Sequence, residues 1–295
     1  MNKGVDLHLH STASDGIYTP AELVRLAAKI GLGAIALTDH DITAGIDEFL
    51  AAARSTDLIA IPGLELSTDI TGSREIHILG YHLDHGDQHL QERLEELRES
   101  RLGRLHKVLD KLALAGCHLS VDQVSALAGE GSIGRPHIAQ ALVDANYVDN
   151  VEDAFRRYLG WGAPAYVARP KLAPRDAIRL IARAGGAPVL AHPLHVTEYI
   201  PALVRAGLVG LEVYYIGYSG LEIDFLARLA RKHKLIATGG SDFHGPEITS
   251  ATQPGQVHVP WSAVEALQAF VQEKSACPET DQASASFQQT HTVAP

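Results

Sequence analysis

The chain has 295 residues, 46% hydrophobic and 20% charged, enough to bury the core of one large domain or of one domain with an insertion. Its formal net charge of −10 disfavours broad adhesion to nucleic-acid backbone or anionic membrane, although a nucleotide in a local basic pocket stays compatible with it. Two distant cysteines, Cys117 and Cys277, argue against a disulfide framework or a thiolate metal site. The start, MNKGVDLHLHS, lacks an apolar signal-peptide segment, and no apolar run reaches membrane length, so a soluble cytoplasmic protein is expected.

In chain order, residues 5–10 predict a first strand, followed by a turn at 14–16. From Pro20, where a helix begins, residues 21–30 have helical apolar spacing that stops at Gly31. A wholly apolar strand at 34–38 precedes a helix at 45–53, and strands at 58–66 and 76–82 flank the polar turn 71–74. Later, helix 174–184 leads to strand 187–191, helix 200–206 to strand 209–213, and helix 221–232 to strand 235–238. This alternation is the signature of an α/β fold with a parallel sheet, and seven or so strands favour a barrel over an open sheet. Residues 87–167 break the rhythm, with helices expected at 88–114, 121–128, 136–145 and 151–158 and no strand among them. The expected division is a discontinuous barrel, 1–86 and 168–275, carrying a helical insertion, 87–167, as a lid. The tail, 276–295, is Ser-, Thr-, Gln-, Ala- and Pro-rich and is expected to be disordered. There is no repeat of fixed period.

Sixteen histidines are many for this length. His85, His89, His106 and His291 fall in charged helical, loop or tail sequence and are read as incidental. Others sit at strand ends. In Asp6-Leu-His8-Leu-His10, alternation puts the polar residues on one strand face, and Asp15 follows in a glycine turn. Thr38-Asp39-His40-Asp41 ends the second strand. Glu65 lies inside an otherwise apolar strand, where a carboxylate needs a strong partner such as a divalent cation. His77 is framed by apolar neighbours, His192 ends a strand before Pro193, and Gly239-Gly-Ser-Asp242-Phe-His244 follows the last strand. In a parallel α/β barrel the C-terminal strand ends are where active sites lie. Nine nitrogen or oxygen donors gathered there, His8, His10, Asp15, His40, Glu65, His77, His192, Asp242 and His244, exceed what one ion needs and point to two or three metals. Without sulfur, Mn²⁺, Fe²⁺ and Zn²⁺ all suit the set.

In order, DLHLHS, a downstream aspartate, TDHD, GLE, HILGY, AHP and GSDFH resemble the metal-ligand motifs of the PHP (polymerase and histidinol phosphatase) domain, a relative of the amidohydrolases. The resemblance covers residues 4–82 and 170–250. It implies a distorted (β/α)7 barrel with three divalent ions, Mn²⁺ before Fe²⁺ or Zn²⁺. One ion would take His8, His10, Glu65 and Asp242, a second Asp15, His40 and His244, and a third Glu65, His77 and His192. Glu65, His192, Asp242 and His244 would thereby serve catalysis by activating water.

Gly134-Arg135-Pro136-His137-Ile-Ala is similar to a segment of the TrpH-like branch of that family, whose members are nucleoside 3′,5′-bisphosphate phosphatases and 5′→3′ exoribonucleases of short RNA. A guanidinium fork at a helix N-terminus suits phosphate, and Arg135, His137, Lys171 and Arg74 are the candidate phosphate contacts. The expected reaction removes the 3′-phosphate of a bisphosphate nucleotide. The alternatives are trimming of short RNA, histidinol phosphate hydrolysis, and a non-catalytic structural or partner-binding module. No membrane and no protein partner is inferred.

Overall fold

A computed structural model describes residues 4–70, 74–128, 134–167, 172–246, 248 and 251–276, without the side chains of Arg74, Arg101 and Ala128. Seven strands run in one sheet in chain order: β1 (Gly4–Leu9), β2 (Leu32–Leu37), β3 (Ile59–Ile70), β4 (Arg74–Tyr81), β5 (Ala187–Leu190), β6 (Gly210–Tyr215) and β7 (Ile236–Gly240). A parallel bridge from Leu9 to Phe243 and a bond from His10 N–H to Phe243 O (3.0 Å) bring β1 back to the end of β7, so the sheet is a nearly closed barrel. Gly240 permits that approach, because a Cβ there would stand 2.3 Å from His8 Cβ.

The sheet is mixed rather than parallel, since β4 pairs antiparallel with both β3 and β5. The cause is local. Only residues 71–73 separate β3 from β4, and a link that short can return a strand only antiparallel. A second departure lies in β1, whose register against β2 shifts between Asp6 and Leu9 and breaks the expected alternation. Asp6 therefore leaves the face of His8 and His10 and instead accepts from Ser241 N–H, Ser241 Oγ and Gly255 N–H at 2.9, 2.6 and 2.7 Å.

Helices α1 (Pro20–Ile30) and α2 (Ile46–Ala53) follow the first two strands. Thr19 and Glu22 form a reciprocal capping box at the start of α1, and Gly31 ends it at φ 86°. The long α3 (Gln88–Leu114) spans about 40 Å. Its first half places Leu90, Leu94 and Leu97 in the barrel's outer core, and its second half places Leu105, Val108 and Leu112 in a separate cluster. That second cluster is completed by α4 (Val121–Ala128) and α5 (Arg135–Asp144), through Val124, Ile138 and Leu142. The expected helix at 151–158 is one α turn, α6 (Val151–Ala154), running into a π-helical turn, Phe155–Leu159. Back on the barrel come α7 (Pro174–Arg183), α8 (Ile200–Arg205), α9 (Gly220–His233) and α10 (Ser262–Ala276). The last was not anticipated. It packs Ala263, Val264 and Leu267 onto the cluster of Val5, Leu7, Ala36, Leu79 and Val189. No helix among the described residues is long and apolar enough to cross a membrane. The predicted tail beyond residue 276 lies outside the described residues.

Candidate active site

Glu65 sits buried on β3 with five histidines around its carboxylate. Oε2 lies 3.3 Å from His8 Nε2, 3.3 Å from His10 Nε2 and 3.1 Å from His40 Nδ1. Oε1 lies 2.8 Å from His77 Nδ1 and 3.2 Å from His192 Nε2. Asp242, just past β7, places Oδ1 3.2 Å from His8 Nε2 and 3.1 Å from His10 Nε2. Asp15 meets His244 Nε2 at 3.3 Å, with His10 Nδ1 at 3.8 Å and His40 Nε2 at 3.9 Å. All nine residues singled out in the sequence thus converge at one end of the barrel.

The loops that deliver them are tied down by neighbours. Buried Asp39 accepts from Ser11 N–H, Ser11 Oγ and Ser14 Oγ at 2.7, 2.7 and 2.6 Å, which fixes the turn carrying Asp15. In the same turn a Cβ on Gly16 would stand 2.2 Å from His10 O, so only glycine fits. Asp41 (φ 53°), His192 (φ 28°) and Asp242 (φ 52°) hold left-handed backbone conformations that L-residues adopt at a cost, as loops at functional sites often do.

Two further residues stand at this end, Glu212 buried and Tyr215 partly buried. Glu212 on β6 takes His8 Nδ1 on Oε1 (2.8 Å) and accepts the His192 backbone N–H on Oε2 (2.6 Å). Tyr215 donates its hydroxyl to Asp242 Oδ2 at 2.7 Å. The signal for Glu212 was present: like Glu65, it is a carboxylate inside an apolar strand.

Burial works against the charge on His10, but Asp242 and Glu65 overcome it and raise the imidazole to about 10. At His40 burial prevails, helped by repulsion from His10 and His77 against the pull of Glu65 and Asp15, and the ring is lowered to about 4. Burial opposes ionisation of Glu65 as well, yet His40, His77 and His8 hold its carboxyl well below the usual range. His10 Nδ1 and Nε2, His40 Nδ1, Asp15 Oδ1 and Asp242 Oδ1 are buried without a hydrogen bond of sound geometry. Such atoms are costly unless something else satisfies them, and a cluster of imidazole and carboxylate donors fits divalent cations.

Three groups of donor atoms lie within 4.8 Å of one another: His8, His10, Glu65 and Asp242; His10, Asp15, His40 and His244; and His40, Glu65 and His77. The first is the set expected from sequence. The second gains His10. The third joins His40 to Glu65 and His77, and His192 Nε2 meets the same Glu65 Oε1 as His77, with the two imidazole rings 5.0 Å apart.

Of the candidate phosphate contacts, Arg135 opens α5 and pairs through Nη2 with Glu75 Oε1 at 3.0 Å. Glu75 Oε2 is 4.0 Å from His77 Nε2, so this guanidinium borders the donor cluster. His137 Nδ1 accepts the Gly134 N–H at 3.0 Å, capping α5, so any phosphate contact falls to Nε2. Lys171 and the side chain of Arg74 lie outside the described residues.

The sequence pattern of the PHP domain matches residues 6–160. A 5′-3′ exoribonuclease of Haemophilus influenzae is 39% identical over 253 residues, 83% of this chain and 92% of its own. A 3′,5′-nucleoside bisphosphate phosphatase of Chromobacterium violaceum is 35% identical over 252 residues, 82% of this chain and 87% of its own. A structure from Bifidobacterium adolescentis, described as a metal-dependent phosphoesterase, superposes with a TM-score of 0.81 at 31% identity, covering 91% of this chain and 96% of that one. These relatives set aside the reading as a non-catalytic module. With its strand-end histidines and carboxylates gathered in one barrel mouth, the chain belongs to the PHP domain family of metal-dependent phosphoesterases.

Proposed function

We propose that the chain hydrolyses the 3′-phosphate of nucleoside 3′,5′-bisphosphates, releasing the 5′-monophosphate and phosphate. The observation that carries this reading is Arg135, held by Glu75 at the rim of the donor cluster. A guanidinium fork there suits a second phosphate beside the scissile one. Three ions, Mn²⁺ first among them, would be held by His8, His10, Glu65 and Asp242; by Asp15, His40 and His244; and by Glu65 and His77 with His192. Divalent cations in such a site polarise phosphate oxygens and lower the pKa of an attacking water. Glu212 and Tyr215 orient His8, His192 and Asp242 before substrate arrives. Arg135, with His137 and Lys171, would anchor the phosphates and offset charge developing on them. Water oxygen bonds to phosphorus as the P–O3′ bond breaks, and a proton passes to the leaving 3′-oxygen.

A second reading, trimming of short 5′-phosphorylated RNA, is favoured by the 39% identity to an exoribonuclease. The two reactions break the same P–O3′ bond of a 5′-phosphorylated nucleotide. Release of phosphate or nucleotide in Mn²⁺ from adenosine 3′,5′-bisphosphate, histidinol phosphate and a short 5′-phosphorylated RNA separates them. Turnover of the bisphosphate is expected, and no release from any substrate by metal-loaded protein would sink the proposal. Asp242→Asn should abolish turnover and keep the fold, because asparagine tolerates the left-handed backbone at this position. Full activity in that variant would remove Asp242 from the metal set.

A further inference from the structure

On the outer wall of the barrel, α3 and α7 border a groove of about 270 Å³ whose lining includes His89, Arg93, Arg179 and Arg183 with one carboxylate, Asp176. In a chain of net charge −10, this concentration of arginine calls for a reason. Arg93 pairs with Glu96 on its own helix, and Asp176 lies 3.4 Å from Arg175. Arg179 and Arg183, both exposed, have no ion pair or hydrogen bond among the described residues. They are one helical turn apart on the same face, about 6 Å along the axis, a spacing comparable with successive phosphates of a single strand. Lys274 of α10 adds a cation at the lower end by donating to Ala182 O.

The groove starts near the active site. Its lining includes Leu172, which bridges to Thr68 of β3, and Asp69 N–H donates to Leu172 O at 3.2 Å. Thr68 is three residues beyond Glu65, about 10 Å along the strand. Arg183 lies at the opposite end of α7, where Asp84 N–H, just after β4, donates to Ala184 O at 2.8 Å. The cationic track therefore runs down the wall from the level of the donor cluster.

We propose that the α3–α7 groove binds the downstream phosphates of an RNA strand whose 5′-terminal nucleotide occupies the active site. The proposal rests on the second reading above. It implies that a bisphosphate nucleotide, too short to reach the groove, is indifferent to it. The test is a charge reversal, Arg179→Glu with Arg183→Glu, compared with Arg→Lys at both positions. Binding of a labelled 5′-phosphorylated RNA of about ten nucleotides is followed in an Asp242→Asn background over a range of salt. Charge reversal should weaken binding about tenfold or more at low salt and flatten the log–log salt slope by about 1.4, at about 0.7 per lost single-strand phosphate contact. The lysine variant should keep the slope. With Asp242 restored, turnover of adenosine 3′,5′-bisphosphate should be unchanged by either substitution. Unaltered RNA affinity and slope after charge reversal would overturn the groove, as would an unmodified chain that does not bind RNA, and in either case bisphosphate turnover would still stand or fall by itself. Groove-dependent RNA binding without hydrolysis of any substrate would uphold the groove and overturn the catalytic reading.

Discussion

Glu212 shows how one buried side chain sets the chemistry of others. Both of its oxygens are committed, one to His8 Nδ1 and the other to the His192 backbone N–H. With Nδ1–H donating to a carboxylate, His8 leaves Nε2, directed toward Glu65 and Asp242, as the atom that would ligate a metal. Glu212→Gln preserves volume but leaves a single acceptor. If the amide oxygen keeps the His192 N–H, the amide nitrogen faces His8 Nδ1 and drives the ring proton onto Nε2. We expect reduced bound metal and an activity loss of about 10–100-fold, read by elemental analysis together with phosphate release. Full metal content and full rate would show that the hydrogen bond does not set the tautomer.

At the level of elements, the small helical cluster of α4 and α5 and the barrel meet through α3, whose leucines enter two separate cores, and through the Arg135–Glu75 pair. Arg135 is partly exposed, so little stability is expected from the pair itself. Arg135→Ala should raise KM for the bisphosphate and leave metal content and melting temperature nearly unchanged, and loss of metal would refute a role in holding phosphate. The β1–β7 seam is less forgiving. Gly240→Ala forces a Cβ into His8, with atoms on both strands unable to retreat independently, and should cost about 1–3 kcal/mol in denaturant melts. An unchanged midpoint would mean that the seam opens more readily than its packing implies.

For the whole molecule, the donor cluster makes stability depend on pH in a way that metal should reverse. In metal-free protein His10 is raised from 6.5 to about 10, so its contribution is complete below pH 6.5 and is lost as pH climbs toward 10. His40 is lowered to about 4, so folding binds fewer protons there and stability falls as pH drops from 6.5 toward 4. The depressed carboxyls of Glu65 and Asp242 act in the same acid direction, losing their contribution below their ordinary range. Melting temperature in chelator should therefore peak near neutrality and decline on both sides. Saturating Mn²⁺ should raise it and remove the alkaline decline, because the cation replaces the proton on His10. A chelated protein with a flat alkaline limb would contradict the placement of that proton.

Sequence alone determined much of this protein, because the relevant signals are local. Strand periodicity, Pro20 and Gly31 as helix punctuation, and polar residues where apolar strands end were sufficient to find most elements and nine side chains that the fold brings together. Glu212 carries the same mark as Glu65, a carboxylate inside an apolar strand, but has no motif around it. Tertiary structure decided what depends on closure. The register shift in β1 separates Asp6 from His8, the three-residue link reverses β4, and barrel geometry sets His40, His77 and His192 together around Glu65. The cationic groove belongs to the same class, since Arg93 and Arg179 are distant in sequence and become neighbours only when α3 packs beside α7. A strand end marks where a ligand can stand, but which ligands share an ion is fixed by the packing of strands around a closed sheet, and no local pattern encodes that.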